Sequence, residues 1–362
     1  MSSIIGKNIT LSVFGESHGE AIGALIDGLP AGIPVNKDNI YAQMERRAPG
    51  RDKSATPRKE KDMPKIISGV LDGFTTGMPL CAMIENGDTR SADYSYLKDT
   101  PRPSHADYPA SVKYGEHFDI RGSGHFSGRL TAPIVFAGAI CREILAKKGI
   151  TVGGHILSIG NVEDTPFDKT DVNNDLLKEL SLSSFGVIDS DKEAQMRDLI
   201  ESARLDGDSI GGQIEIAVTG LPVGIGEPMA RGVESVISSA LFSVPAVKGV
   251  EFGAGFDIAR MRGSEANDRY INAKGKIATA TNNNGGVLGG ITTGMPLIVK
   301  VAVKPTPSIS KEQKTLNVKT MTEDSLVIKG RHDPCIVPRA VSVVEGAVCL
   351  ALCDLMKEGD LL

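Results

Sequence analysis

The chain has 362 residues, 41% of them hydrophobic and 23% charged, with a net charge of −5. These values exclude a disordered tail, a coiled coil and a collagen-like fibre, and at roughly 100–200 residues per domain they leave room for one large domain or two ordinary ones. No run approaches the roughly 18 apolar residues of a membrane span, and the opening MSSIIGKNIT lacks the apolar core and cleavage site of a signal peptide, so a cytoplasmic protein without a membrane partner is expected.

In chain order, Ala21–Ile26 alternates as a strand should, and Pro34–Arg47 reads as a helix capped by Asn36 and stopped at Pro49-Gly50. Between Arg46 and Lys65 lie eight basic and three acidic residues, a local anion site or a solvated basic loop. Ile66–Val70 and Leu80–Ile84 are further strand candidates. The apolar segment after Arg129 ends in Lys147-Lys148-Gly149, the cations and glycine of a helix C-terminus, and reads as a buried helix. From 161 to 208 the chain carries thirteen acidic and five basic residues, with Ser190-Asp191-Lys192-Glu193 as a capping box before a helix bearing Met196, Leu199, Ile200 and Ala203. Strands follow at Gln213–Val218 and Leu297–Val303, and a second buried helix runs from Arg339 to Gly359. Long buried helices with short strands predict an α+β fold, two sheets flanking a helical layer.

The sequence also repeats. GVLDGFTTGMPL at 69–80 matches GVLGGITTGMPL at 286–297 in ten of twelve positions, and GESHGEAIGALIDGLPAGI at 15–33 matches 207–225 in nine of nineteen. RGSGHFSGR at 121–129 and RHDPCIVPR at 331–339 share one Arg-to-Arg spacing, each ahead of a buried helix. The order is the same in both copies. A single domain over 1–362 is therefore expected, with pseudo-symmetric halves at about 10–150 and 206–359, an acidic linker at about 161–205 and a ligand crevice between the halves.

Five cysteines (Cys81, Cys141, Cys335, Cys349, Cys353) with no C-x-x-C pair argue against disulfides and a zinc site, so no metal is expected. Aromatics at 4% and the absence of Trp leave little on which to stack a nucleic acid, and none is expected as partner. Among the six histidines, His18 in GESHGE sits among turn formers, His105 follows the stiff Pro101-Arg102-Pro103, and His332 precedes Asp333, which either orients a base or caps a local turn. Arg46, Arg47, Arg51, Lys53, Arg102, Arg121, Arg129 and Arg331 lie in or beside the same loops, and several forks on one pocket would hold a small polyanion. P-loop, Rossmann, zincin and hydrolase motifs are absent. The residues alone thus indicate a two-half enzyme for a small anionic substrate, with imidazole acid–base groups.

GESHG at 15–19, the R-G-x-G-x-x-S-x-R segment at 121–129, and GRHDPC with PRA at 330–340 resemble the signatures of the chorismate synthase family, and RPSHADY, IENGDTRSADY, GDSIG, AVKGVEFG and KPTPS resemble further family segments. The likeness covers about residues 6–355. It implies two antiparallel sheets sandwiching helices in a homotetramer. It also implies a lyase of the shikimate pathway that eliminates phosphate from 5-enolpyruvylshikimate 3-phosphate to give chorismate, with reduced FMN (FMNH2) as cofactor and no net redox change. NADPH is the candidate reductant, delivered by this chain or by an external flavin reductase. By motif position, the resemblance implies His18 as the acid for the departing phosphate, His105 as the acid toward flavin, and Asp333 as an aid to deprotonation there. Arg47, Lys53, Arg102 and Arg129 would bind substrate, with Arg51 an alternative to Lys53. His125, Phe126, Ser127, Ala246, Gly289, Lys304, Thr306, Ser308 and Arg331 would line the FMN site. His125 and Phe126 stand where the family commonly has Arg and Ser.

Overall fold

The computed structural model describes residues 3–50, 62–87, 91–328 and 332–362. The first part of the chain contains β1 (Ile4–Ile5), β2 (Thr10–Gly15), β3 (Ala21–Asp27), α1 (Lys37–Arg47), β4 (Lys65–Ser68), the small hairpin β5 (Val70–Leu71) and β6 (Phe74–Thr75), β7 (Leu80–Glu85), α2 (Asp107–Tyr114) and α3 (Ala132–Lys147). There follow β8 (Thr151–Ile159), β9 (Val162–Glu163), α4 (Asn174–Leu180) and α5 (Ser190–Leu205). The remainder holds β10 (Gly212–Thr219), α6 (Val233–Phe242), β11 (Val247–Phe252), α7 (Gly263–Ala266), β12 (Tyr270–Ala273), β13 (Lys276–Thr279), β14 (Val287–Leu288), β15 (Ile291–Thr292), β16 (Leu297–Val303), β17 (Gln313–Asn317), β18 (Thr322–Leu326) and α8 (Val337–Glu358).

Helix α1 starts where the sequence says, because Asn36 is extended and its side chain accepts the amides of Asp38 and Asn39. Helix α5 is capped by Asp189, one residue before the expected Ser190. Asp189 is the last extended residue and its carboxylate accepts the amide of Asp191, whereas Ser190 is already helical. Both α3 and α8 carry Pro in their first turn, where a missing N–H costs no helical bond.

Two five-stranded antiparallel sheets result, ordered β1-β2-β3-β7-β4 and β11-β16-β10-β8-β9. Ile22, Ala24 and Ile26 of β3 and Ile214, Ile216 and Val218 of β10 point into one continuous core with α3 and α8. Helix α3 packs on β2 and β3, α8 packs on β8 and β10, and the two helices pack on each other. They cross so closely at Gly138 that a Cβ there would lie 2.2 Å from Gly346 Cα. The acidic segment folds onto the second sheet, where Phe167, Leu177 and Leu180 cluster with Ala217 and Ile298. On the first sheet, Phe14, Leu25 and Ile67 remain exposed.

Beneath the acidic segment, His155 of β8 is fully buried between Asp164 at 2.8 Å and Glu215 at 3.1 Å. Burial alone would discharge this imidazole, but the hydrogen bonds to both carboxylates raise its pKa above the ordinary value. Asp164 also accepts the amides of Ile188 and Asp189. It therefore pins the start of α5 to the sheet. The cysteines are all free, and all but the half-buried Cys81 are buried. Among the described residues no group of His, Cys, Asp and Glu could hold a metal ion, and no helix is long and apolar enough to cross a membrane.

Candidate active site

The ends of β2, α1 and α2, the start of α3, the approach to α8 and the loops after α6 and β16 surround one cavity of about 990 Å³. This lies at the upper end of the roughly 300–1,000 Å³ of single small-molecule pockets, so a flavin-sized molecule and a small acid have room together. Arg47, Arg102, Arg129, Lys248, Lys304 and Arg339 line it against Glu16, Asp119 and Asp333, leaving an excess of positive charge. Phe118 and Phe126 meet edge-to-face at 5.7 Å between centroids and supply an apolar wall.

Arg47 and Arg129 are both about 96% buried and share the carboxylate of Asp62, which is itself buried. Arg47 also donates to Thr131 Oγ1 at 3.1 Å and Gly128 O at 3.0 Å, while Arg129 donates to Asn86 Oδ1 at 3.0 Å and Glu85 O at 2.9 Å. Two guanidinium groups on one carboxylate leave a net positive centre in a low-dielectric wall, where an anion is held more strongly than in water.

Arg102 is 3% exposed and forks onto Asp107 through two 2.7 Å hydrogen bonds, with further bonds to Ser308 Oγ at 3.1 Å and Ser123 Oγ at 3.0 Å. It ties three loops of the cavity together. Like Arg47 and Arg129, it lines the cavity while held by a buried carboxylate. His105 lies 2.8 Å from the same carboxylate. Burial lowers its pKa below the ordinary value against the raising effect of the Asp107 hydrogen bond. Burial likewise opposes ionisation of Asp107, but the hydrogen bonds from Arg102 and His105 hold its carboxyl far below the usual range.

His18 is 8% exposed and sits behind the wall, its ring edge-on to Tyr94 at 5.3 Å. Its seat exists because residue 122 is glycine: a Cβ there would lie 1.9 Å from His18 Nδ1, and the backbone is left-handed at φ 56°. Ser104, Ser123 and Ala246 also line the cavity with positive φ although none is glycine, so backbone strain gathers at this site. The Ala246 carbonyl accepts the Lys304 amide, and Lys304 Nζ donates to Ser104 O at 2.6 Å. Burial, and then the charge of Lys248, lower the pKa of Lys304. Asp333 pairs with Arg339 at 2.5 Å, and Arg339 donates to the Arg47 carbonyl at 2.8 Å.

His105, Asp333, Arg47, Arg102, Arg129, His125, Phe126, Ser127, Ala246, Lys304, Thr306 and Ser308 thus share one cavity wall. Gly289 does not join them, because it lies exposed at the turn between β14 and β15, where neighbouring Gly290 packs on Glu227 and Gly232. Lys53, Arg51 and Arg331 fall outside the described residues. Arg46 is not a site residue but a structural pin, buried in an ion pair with Glu345 at 2.5 Å. Arg121 is half-exposed and pairs with Asp119. Asp62, Asp107, Ser123, Lys248 and Arg339 were not anticipated as site residues. Two had a signal: Asp107 lies two positions after His105 in RPSHADY, and Arg339 occupies the position of Arg129 in the second Arg-to-Arg spacing.

A cavity lined by buried cations, with a half-buried imidazole and carboxylates in its wall, defines an acid–base enzyme for a small anionic substrate. The chorismate synthase family model matches residues 9–356. The chain is 46% identical to a chorismate synthase of Dehalococcoides mccartyi, covering 98% of this chain and 96% of that protein, and 48% identical to one of Thermococcus gammatolerans, covering 96% of each. A crystal structure of chorismate synthase superposes with a TM-score of 0.76 at 29% identity, covering 98% of this chain and 93% of that one. The chain belongs to the chorismate synthase family, carbon–oxygen lyases of the shikimate pathway.

Proposed function

We propose that this cavity carries the family's reaction, the 1,4-anti elimination of phosphate from 5-enolpyruvylshikimate 3-phosphate to give chorismate, with reduced FMN as cofactor. The observation that carries the reading is the joint lining of one cavity by buried arginines and His105, in a chain matched by the family over residues 9–356. The residues present fit a flavin. Thr306 borders the cavity with a buried Oγ1 that finds no hydrogen-bond partner among the described residues, Phe118 and Phe126 give a ring-sized apolar face, and Lys248 and Lys304 supply cations for a phosphate. His125, Phe126, Ser127, Ala246, Lys304, Thr306 and Ser308 would hold it, and Arg331 by motif position. When bound, reduced FMN supplies electron density to the allylic centre without net redox change.

Arg47 and Arg129, assisted by Lys53, bind the phosphate and carboxylates of the substrate. Arg102 joins them as a substrate ligand by motif position, and its bonds to Asp107, Ser123 and Ser308 keep the walls in register. His18 gives a proton to the departing phosphate, His105 exchanges one near the flavin, and Asp333, oriented by Arg339, assists deprotonation there. The apolar residues of the wall exclude water and oxygen.

The finer fold reading is a β-α-β sandwich of two sheets around α3 and α8, built from duplicated halves. Its support is the matching strand order, β3-β7-β4 in one sheet and β10-β16-β11 in the other, with β3 and β10 inside one pair of motif copies and β7 and β16 each starting at the last residue of the other pair. A cytoplasmic homotetramer, supplied with reduced flavin by NADPH directly or through an external reductase, completes the proposal. The test is an anaerobic assay of the full chain with substrate and chemically reduced FMN. Chorismate and phosphate in equal amounts are expected. No chorismate, or stoichiometric consumption of the reduced flavin, overturns the reading.

A further inference from the structure

We propose that Asp107 is a positioning residue for His105: it takes the Nδ1–H of the imidazole and leaves Nε2 as the ring atom that exchanges a proton with a bound ligand. The inference rests on the functional reading only in taking His105 as a residue that exchanges a proton.

The assignment follows from counting hydrogens. His105 Nδ1 lies 2.8 Å from Asp107 Oδ1 and 3.1 Å from Arg102 Nη2. Nη2 carries two hydrogens, and both have oxygen acceptors nearer than Nδ1, Asp107 Oδ1 at 2.7 Å and Ser123 Oγ at 3.0 Å. Arg102 therefore offers Nδ1 only a hydrogen shared with nearer oxygens, and a bare Nδ1 would set its lone pair against the carboxylate oxygen. Asp107 is ionised and can only accept. The 2.8 Å contact is therefore a hydrogen bond only if Nδ1 carries the hydrogen. A neutral imidazole has one N–H, so Nε2 then presents its lone pair.

The surroundings keep that state. Burial lowers the His105 pKa, the Asp107 hydrogen bond opposes this, and the charges of Arg102 and Lys304 add to the lowering. Thus the resting ring is neutral and takes up a proton at Nε2 before it can return one there, while Asp107 stays ionised throughout. The Arg102 fork and the start of α2 hold the carboxylate in place, since Asp107 Oδ2 also accepts the Arg102 amide at 3.0 Å.

The test is the nitrogen chemical shifts of His105, read by long-range proton–nitrogen NMR on the full chain without added flavin and assigned by loss of the signal in His105→Gln. A protonated Nδ1 and a bare Nε2 are expected in the neutral ring. In Asp107→Asn the new amide can donate to Nδ1, so the tautomer inverts and kcat falls by roughly 10²–10⁴ with KM nearly unchanged. An Nε2–H tautomer in the unmutated chain overturns the inference, as does an Asp107→Asn protein that keeps the Nδ1–H form. If that variant does not fold, the unmutated chain decides alone. Because the tautomer is read without substrate or cofactor, a chain that makes no chorismate yet shows Nδ1–H overturns the function and leaves Asp107 its role.

Discussion

At the scale of single residues, the site depends on atoms that are missing as much as on those present. His18 fits because Gly122 has no side chain, and the left-handed backbone at 122–124 turns Ser123 Oγ toward Arg102. Gly122→Ala brings a methyl within 1.9 Å of His18 Nδ1 at φ 56°. Strain of about 1–3 kcal/mol and a displaced imidazole are expected. Turnover should fall by roughly 10²–10⁴ while the melting temperature drops by only a few degrees. Steady-state kinetics beside a thermal melt checks this, and normal turnover would show that His18 has no part in proton transfer. His18 is buried behind the wall, its ring packed on Tyr94, which lines the cavity.

Among the secondary-structure elements, the acidic segment packs on the second sheet, and His155 is the bolt. Replacing it by Ala leaves Asp164 and Glu215 buried without their shared cation, a change that costs roughly 3–5 kcal/mol in buried ion pairs. Chemical denaturation should show the loss, with turnover of the folded protein retained because the cavity wall does not include these residues. The pH dependence has a definite sign. Since the folded pKa of His155 is raised, its contribution is complete below the unfolded-state pKa and fades as pH rises through the folded one. The stability difference between the native chain and His155→Ala should therefore shrink on the alkaline side. A difference that grows with pH would mean that the imidazole is held neutral.

For the whole molecule, both sheets act through the crossing of α3 and α8. Arg129 stands just before α3 and Arg339 in the first turn of α8, so this crossing also fixes where two of the cavity's cations enter. Gly138→Ala would drive a methyl to 2.2 Å from Gly346 Cα, where only backbone can yield. Overpacking of this kind costs about 1–3 kcal/mol. A lower urea midpoint together with weaker substrate binding is the expected pair of effects. Stability lost with binding intact would uncouple the crossing from the site.

Much of this was legible in the linear sequence. The Asn36 cap, the paired buried helices, the strands at 21–27, 80–85, 212–219 and 297–303 and the collinear repeat are local or periodic signals, governed by capping geometry and side-chain alternation. The histidine and arginine loops were legible because turn formers surround them. Other features were not. Strand β8 contains adjacent glycines that argue against a strand, yet pairing with β10 on one side and α4 packed on its face settle it. Arg46 and Arg47 are neighbours of the same type, but one turns to Glu345 and the other to Asp62. Asp107 and Asp62 gain their roles only from cations brought to them by distant elements. Sequence by itself determined which groups could ionise and where helices and strands begin, because those depend on neighbours along the chain. Only the tertiary structure decided which charge meets which, because burial and pairing are set across the core.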